Sequence, residues 1–139
     1  MTPLEQTDER LSAAIRSVQS DPSAGNHRQL AAMYLSHGVK DAAFDQFSEA
    51  LRLDRGDAVS YEGRARIWRD GGFLALALGD AYRALHYAPD SPSALNTLGT
   101  IFQLLGRFDD ARRSYERVLE RDPSAAYALN NLRQLETVK

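Results

Sequence analysis

Apolar residues along this chain recur every three to four positions, the period of one-sided helices. Leu11, Ile15 and Val18 fall at i, i+4 and i+7 and give a helix over residues 2–20 one narrow apolar stripe. Thr2 with Glu5 fits a capping box there, and Pro3 takes the favoured first helical position. Behind a Ser23 N-cap, residues 24–37 turn Leu30, Ala31, Tyr34 and Leu35 inward until Gly38 breaks the helix. A helix over 41–53 carries Ala43, Phe44, Phe47, Ala50 and Leu51. Asp57 caps the next, which shows Tyr61, Ala65 and Trp68 on one face and stops at Gly71-Gly72. Residues 74–87 hold Leu74, Ala77, Leu78, Ala81, Ala84 and Leu85 before Pro89. From Ser91 to Pro123 two more helical patterns lie back to back around a glycine turn, and a last helix over 125–137 offers Leu129, Leu132 and Leu135. No period-two alternation of β-branched residues flanks any turn, so the expected fold class is all-α.

The pattern repeats. Gly38, Gly72 and Gly106 stand 34 residues apart, and so do Ala43, Ala77 and Ala111. Leu51, Leu85 and Leu119 keep the interval, as do Tyr34, Trp68 and Phe102, and Pro89 with Pro123. A constant period of this size marks stacked units, none able to bury its apolar face alone. The residue types follow. Small side chains (Ala31, Ala65, Gly99; Ala43, Ala77, Ala111) let paired helices approach, and bulky ones (Tyr34, Trp68, Phe102; Phe47, Tyr115) fill the space between neighbours.

On these residues the chain resembles the tetratricopeptide repeat (TPR) family, with units at 24–57, 58–91 and 92–125. The resemblance implies a right-handed α-α superhelix, a TPR solenoid of three helix-turn-helix repeats. One single TPR domain would then fill residues 1–139, with an N-terminal helix at 2–20 and a C-terminal capping helix at 126–139. It also implies a concave groove lined by the first helix of each unit. The departures are Arg55 in place of a closing proline, His27 where Trp or Leu is usual, and Ala81 in place of a bulky residue. Arg64 stands where Leu30 and Leu98 stand in the other units, and must snorkel or pair with a carboxylate.

Composition narrows the function. The net charge of −2 and a pI near 5.9 give no basic excess for nucleic acid or a membrane surface. There is no cysteine for disulfides or thiolate chemistry. The start of the chain lacks a signal-type apolar run, and no stretch reaches the roughly 18 apolar residues that span a bilayer. A cytoplasmic location is therefore the expectation. No nucleophile, phosphate-loop or zinc motif occurs, and His27, His37 and His86 share no ligand spacing. Neither catalytic nor metal-binding residues are expected, nor any cofactor. Asp109-Asp110 reads as helix-dipole complement, and Arg112–Glu116, Arg113–Glu116 and Arg117–Glu120 as surface pairs.

The resemblance places ligand contacts on Arg28, Glu62, Arg66, Arg69, Asn96, Thr100 and Gln103, with Tyr127, Asn130 and Gln134 added by the last helix. Arginines suit carboxylates and amides suit an extended backbone, so the expected ligand is an extended or helical protein segment of acidic character. The family's clamp for acidic chaperone C-termini needs Lys and Asn, then Asn, then Lys and Arg at set positions. Here Arg28, Ala32, Gly63, Ser93 and Thr97 occupy them, and only the first comes near. That ligand class is excluded. Phe73 and Leu76 suggest a convex interface, because Leu76 falls where the family is polar. The expected role is a non-enzymatic interaction module with a protein or peptide partner and no nucleic-acid or membrane partner. Its alternatives are an adaptor that self-associates into a homo-oligomer or docks through convex or end surfaces, and a small secretion- or pilus-type chaperone.

Overall fold

The computed structural model describes the backbone of residues 3–137 and the side chains of residues 9–137. Among them are eight α-helices and no strand: α1 (Pro3–Ser20), α2 (Ala24–Ser36), α3 (Lys40–Leu53), α4 (Ala58–Asp70), α5 (Leu74–Tyr87), α6 (Pro92–Leu104), α7 (Phe108–Arg121) and α8 (Ala126–Glu136). No helix is long and apolar enough to cross a membrane. The Thr2–Glu5 capping box lies outside the described residues.

Side-chain caps set the starts of α2, α4 and α6. Ser23, Asp57 and Ser91 accept the backbone N–H of Asn26, Ser60 and Ala94 at 3.1, 3.3 and 3.2 Å, satisfying donors the helix itself cannot pair. The ends of α2, α4 and α6 share one device. Gly38, Gly72 and Gly106 adopt φ of 76°, 83° and 76°, and the next residue's N–H reaches back to Tyr34, Trp68 or Phe102 at 2.9 Å in each case. This is the Schellman closure, and its left-handed residue explains the glycine period. It reverses the chain within three residues, so α2–α3, α4–α5 and α6–α7 become antiparallel pairs.

Small residues then set the distances. Ala31, Ala43, Ala65, Ala77, Ala81 and Ala111 are fully buried. A Cβ on Gly99 would sit 2.4 Å from the Tyr115 ring, and one on Gly63 2.4 Å from the Phe47 ring. The glycine is therefore the socket for the aromatic ring, within the third pair in one case and between the first two pairs in the other. Leu98, Ile101, Phe102, Tyr115 and Leu135 continue one core from α4 to α8, while Ala31, Ala43 and Phe47 form a separate one at the start. The stack curls. First helices of successive pairs touch one another, α2 with α4 and α4 with α6, whereas the second helices make no comparable contact among the described residues. The first helices therefore line the inner face.

Arg64 has the carboxylate its position demands. Its Nε and Nη2 donate to Asp80 Oδ2 and Oδ1, both at 3.0 Å, and Arg83 adds a third bond of 3.0 Å to the same buried side chain. The guanidinium also lies 5.4 Å from the centre of the Phe44 ring. Ala81 stands where Phe47 and Tyr115 stand in the other units and is fully buried in the apolar core.

The expected pairs on α7 are corrected. Arg112 and Arg113 bind Asp109 and Asp110 at 2.9 and 2.7 Å rather than Glu116, and Arg117 donates to the Pro89 carbonyl at 3.1 Å rather than to Glu120. Helical side chains lean toward the N-terminus, so an arginine reaches back to i−3 before it reaches forward. The hydrogen bond from Arg113, opposed by burial and aided by Arg107, holds the Asp110 carboxyl below the usual range.

Candidate functional site: the concave face

On the inner face α4, α6 and α8 surround an open recess of about 620 Å³. Its walls are Glu62, Arg66 and Arg69 from α4, Pro92, Ser93, Asn96 and Thr97 from α6, and Tyr127 from α8. Helical spacing brings Glu62, Arg66 and Arg69 to one side, since residues three and four apart are neighbours on a helix surface. A second recess of about 350 Å³ continues the face between α2 and α4, along Arg28, Ala32, Leu35, Val59, Glu62 and Arg66.

Most of the polar groups on this face hold one another. Thr97 Oγ1 donates to the buried Glu62 at 2.8 Å. Arg69 donates through Nη1 to Thr100 Oγ1 at 2.9 Å and through Nη2 to Asp70 at 3.1 Å. Arg28 donates to Asp57 at 2.8 Å. The amide of Asn131 donates to Asn96 Oδ1 at 2.8 Å, and the Tyr115 hydroxyl donates to Gln103. Burial pushes the Tyr115 phenol up to about 12, against the opposing pull of Arg69. Burial first, then Asp122, raises the pKa of Tyr127 as well. Each cation of the face stands by a carboxylate: Arg28 by Asp57, Arg69 by Asp70, and Arg66 by Glu62 at 3.9 Å. Only the Arg66 contact is long, and that side chain is 51% exposed.

Of the residues named from sequence, Glu62, Arg66, Arg69, Asn96 and Tyr127 come together at the larger recess, and Thr100 joins through Arg69. Arg28 lies beyond, in the second recess. Gln103 is engaged with Tyr115. Asn130 and Gln134 are exposed on α8 and do not line the recess; Asn131 instead bonds to Asn96 in its wall. Phe73 and Leu76 lie away from this face, 58% and 51% exposed. Sequence reasoning missed Asn131 and Thr97. An α8 register shifted by one residue from the repeat phase would have found the first.

The family model of the tetratricopeptide repeat matches residues 92–125, the pair that forms α6 and α7. The fold agrees over far more of the chain. The crystal structure of MamA superimposes with a TM-score of 0.80 over 93% of this chain and 76% of that one, at 19% identity. The chain is a tetratricopeptide repeat protein. The first TPR of Spaghetti (RPAP3), solved with the HSP90 peptide SRMEEVD, matches this TPR chain with a TM-score of 0.79 at 25% identity, covering 83% of it and 91% of the other. In sequence, a 97-residue stretch is 31% identical to the heat shock protein sti1 homolog of Schizosaccharomyces pombe. That stretch is 70% of this chain, and it spans 16% of the relative's length.

Proposed function

We propose that the chain is a non-enzymatic protein-interaction module whose concave face binds an extended polypeptide segment of a partner. The carrying observation is the recess of about 620 Å³ in which Arg66, Ser93, Asn96 and Tyr127 converge from three helices. Its hydroxyl and amide groups suit the alternating donors and acceptors of a peptide backbone, and Arg66 is the cation with the most freedom to turn to a ligand. Because the internal pairs fix the other side chains, the face is preorganised and binding orders little on this side. The likeness to a TPR solved with a peptide and to the sti1 homolog supports the same class of role.

The ligand differs from the acidic tail held by that neighbour. Arg28 is committed to Asp57, Thr97 is buried under Glu62, and Ala32, Gly63 and Ser93 offer no cation. The carboxylates beside Arg66 and Arg69 also cancel the acidic preference that the arginines alone suggest. The test is selection from a displayed library of unstructured peptides, followed by calorimetric titration of the winners and of SRMEEVD. The winners should lose about tenfold or more on Arg66→Glu, the scale of one desolvated charge contact. SRMEEVD should not bind. Winners indifferent to Arg66→Glu, or tight binding of SRMEEVD, would overturn the reading. Arg66 is the better probe than Arg69, whose loss also breaks the link from α4 to α6.

A further inference from the structure

A third recess, of about 380 Å³, opens on the edge of the solenoid that carries the glycine turns. It lies between the start of α3 and the end of α4. Phe44, Ile67, Trp68 and Phe73 make its apolar lining, and Lys40, Asp41 and Asp45 its rim. The aromatics form a continuous cluster: Phe44 meets Trp68 edge-on at 4.8 Å, and Trp68 meets Phe73 edge-on at 5.6 Å. Part of this is turn chemistry. Phe73 follows the left-handed Gly72, where a Schellman closure brings that residue against the one five back. Closure, however, does not require an aromatic. The equivalent residue is Val39 in the first turn, and in the third it is Arg107, which lies over Phe102 at 4.7 Å.

The rim carries more negative charge than positive. Lys40 lies 3.8 Å from Asp70 and is partly neutralised by it. Asp41 and Asp45, one helical turn apart on α3, are exposed, and among the described residues neither meets a cation. One repeat further on, the places of Lys40, Asp41, Phe44 and Asp45 belong to Leu74, Ala75, Leu78 and Gly79. Two repeats on they belong to Phe108, Asp109, Arg112 and Arg113, so Asp41 recurs as a first-turn acid and only the Asp45 carboxylate is particular to this junction. An apolar hollow beside two unpaired carboxylates favours a ligand that brings an apolar side chain together with a cation, and disfavours one that brings an anion.

We propose that this edge recess is a second docking site, independent of the concave face. It takes a partner segment that inserts one bulky apolar side chain among Phe44, Trp68 and Phe73. A Lys or Arg of the same segment, about one helical turn away, lies against Asp41 and Asp45. Of the convex patch that sequence alone suggests, Phe73 lines this recess, whereas Leu76, exposed in the first turn of α5, does not.

Trp68 is the only tryptophan in the chain, so its fluorescence reports this recess alone. The probes are short acetylated helical peptides on an Ala/Gln scaffold with a central Phe and, one turn away, Arg, Ala or Glu. A fourth peptide keeps the Arg and replaces the Phe by Ala. The Arg-Phe peptide should shift Trp68 emission saturably, about tenfold more tightly than the Glu-Phe peptide, as two exposed charge contacts imply. Removing the Phe should abolish the response. Asp41→Asn with Asp45→Asn, exposed changes whose folding is checked by circular dichroism, should bring the Arg peptide down to the Ala peptide. Arg66→Glu should change nothing. No saturable Trp68 response, equal affinity for the Arg and Glu peptides, or indifference to the Asp variants would overturn the proposal. So would a mass that doubles with concentration in light scattering and is lost on Phe73→Ala, because a second copy would then be the occupant.

Discussion

At the scale of single residues, two buried polar groups carry measurable consequences. The Tyr115 phenol is pushed up to about 12 by burial, from the ordinary phenol value of 10.0. A phenol with a raised folded pKa keeps its proton longer in the native state than in the unfolded one, so stability falls with pH between those two values. The contribution is complete below about pH 10 and is lost by about pH 12. Urea midpoints measured from pH 9 upward should decline more steeply in the wild type than in Tyr115→Phe. Asp80 is the other group. Its side chain is 1% exposed and binds both Arg64 and Arg83. Asp80→Ala should cost roughly 3 kcal/mol, because it strands the half-buried Arg64. Arg64→Leu combined with Asp80→Ser, the residues the third unit carries there as Leu98 and Ser114, should lie within about 1 kcal/mol of wild type. Urea melts of the single and double variants decide this, and strictly additive costs would refute the coupling.

Among elements, the glycines divide into two kinds with opposite reasons for being glycine. Gly63 lies inside α4, where alanine would normally help a helix by about 1 kcal/mol. Its Cβ would meet the Phe47 ring at 2.4 Å, and Phe47 is buried and cannot retreat. Overpacking costs about 1–3 kcal/mol, so the clash wins and Gly63→Ala should lower the melting temperature. Adding Phe47→Leu should recover part of the loss, an outcome that propensity alone does not allow. A Cβ on Gly72 would meet nothing within 4 Å, yet the residue's φ is 83°. Gly72→Ala should therefore cost about 1 kcal/mol through backbone strain alone, and no neighbouring substitution should rescue it.

Across the whole molecule, stability is distributed unevenly along the stack. Helix α8 places Ala128 and Leu135 in the buried cores, whereas none of the described α1 side chains, residues 9–20, is fully buried. In a solenoid each element is stabilised by its neighbours, so end elements detach according to what they bury. Deleting residues 126–139 should destabilise the rest more than deleting residues 1–20, by at least about 2 kcal/mol for the Leu135 contact alone. Denaturant unfolding of the two truncated chains checks the order. The same distribution gives the molecule two faces of different character. The concave side has its polar groups tied to one another, and the turn edge holds an apolar hollow with unpaired acids.

The periodicity alone determined eight helices and their ends within a residue or two, because glycine at a left-handed turn and Ser or Asp at a cap act locally. It also showed that Arg64 was out of place. It did not name Asp80, which lies 16 residues away and is reached only when α4 and α5 pack. Arg66 and Arg69 stand by Glu62 and Asp70 of their own helix, pairings that local spacing already allowed, whereas the bond from Arg69 to Thr100 forms only when α4 packs on α6. Asn130 was the residue expected from the repeat phase, whereas Asn131 faces α6. Local geometry sets where a chain turns. Which polar groups stay free for a partner depends on pairings across helices, and only the tertiary structure decided those.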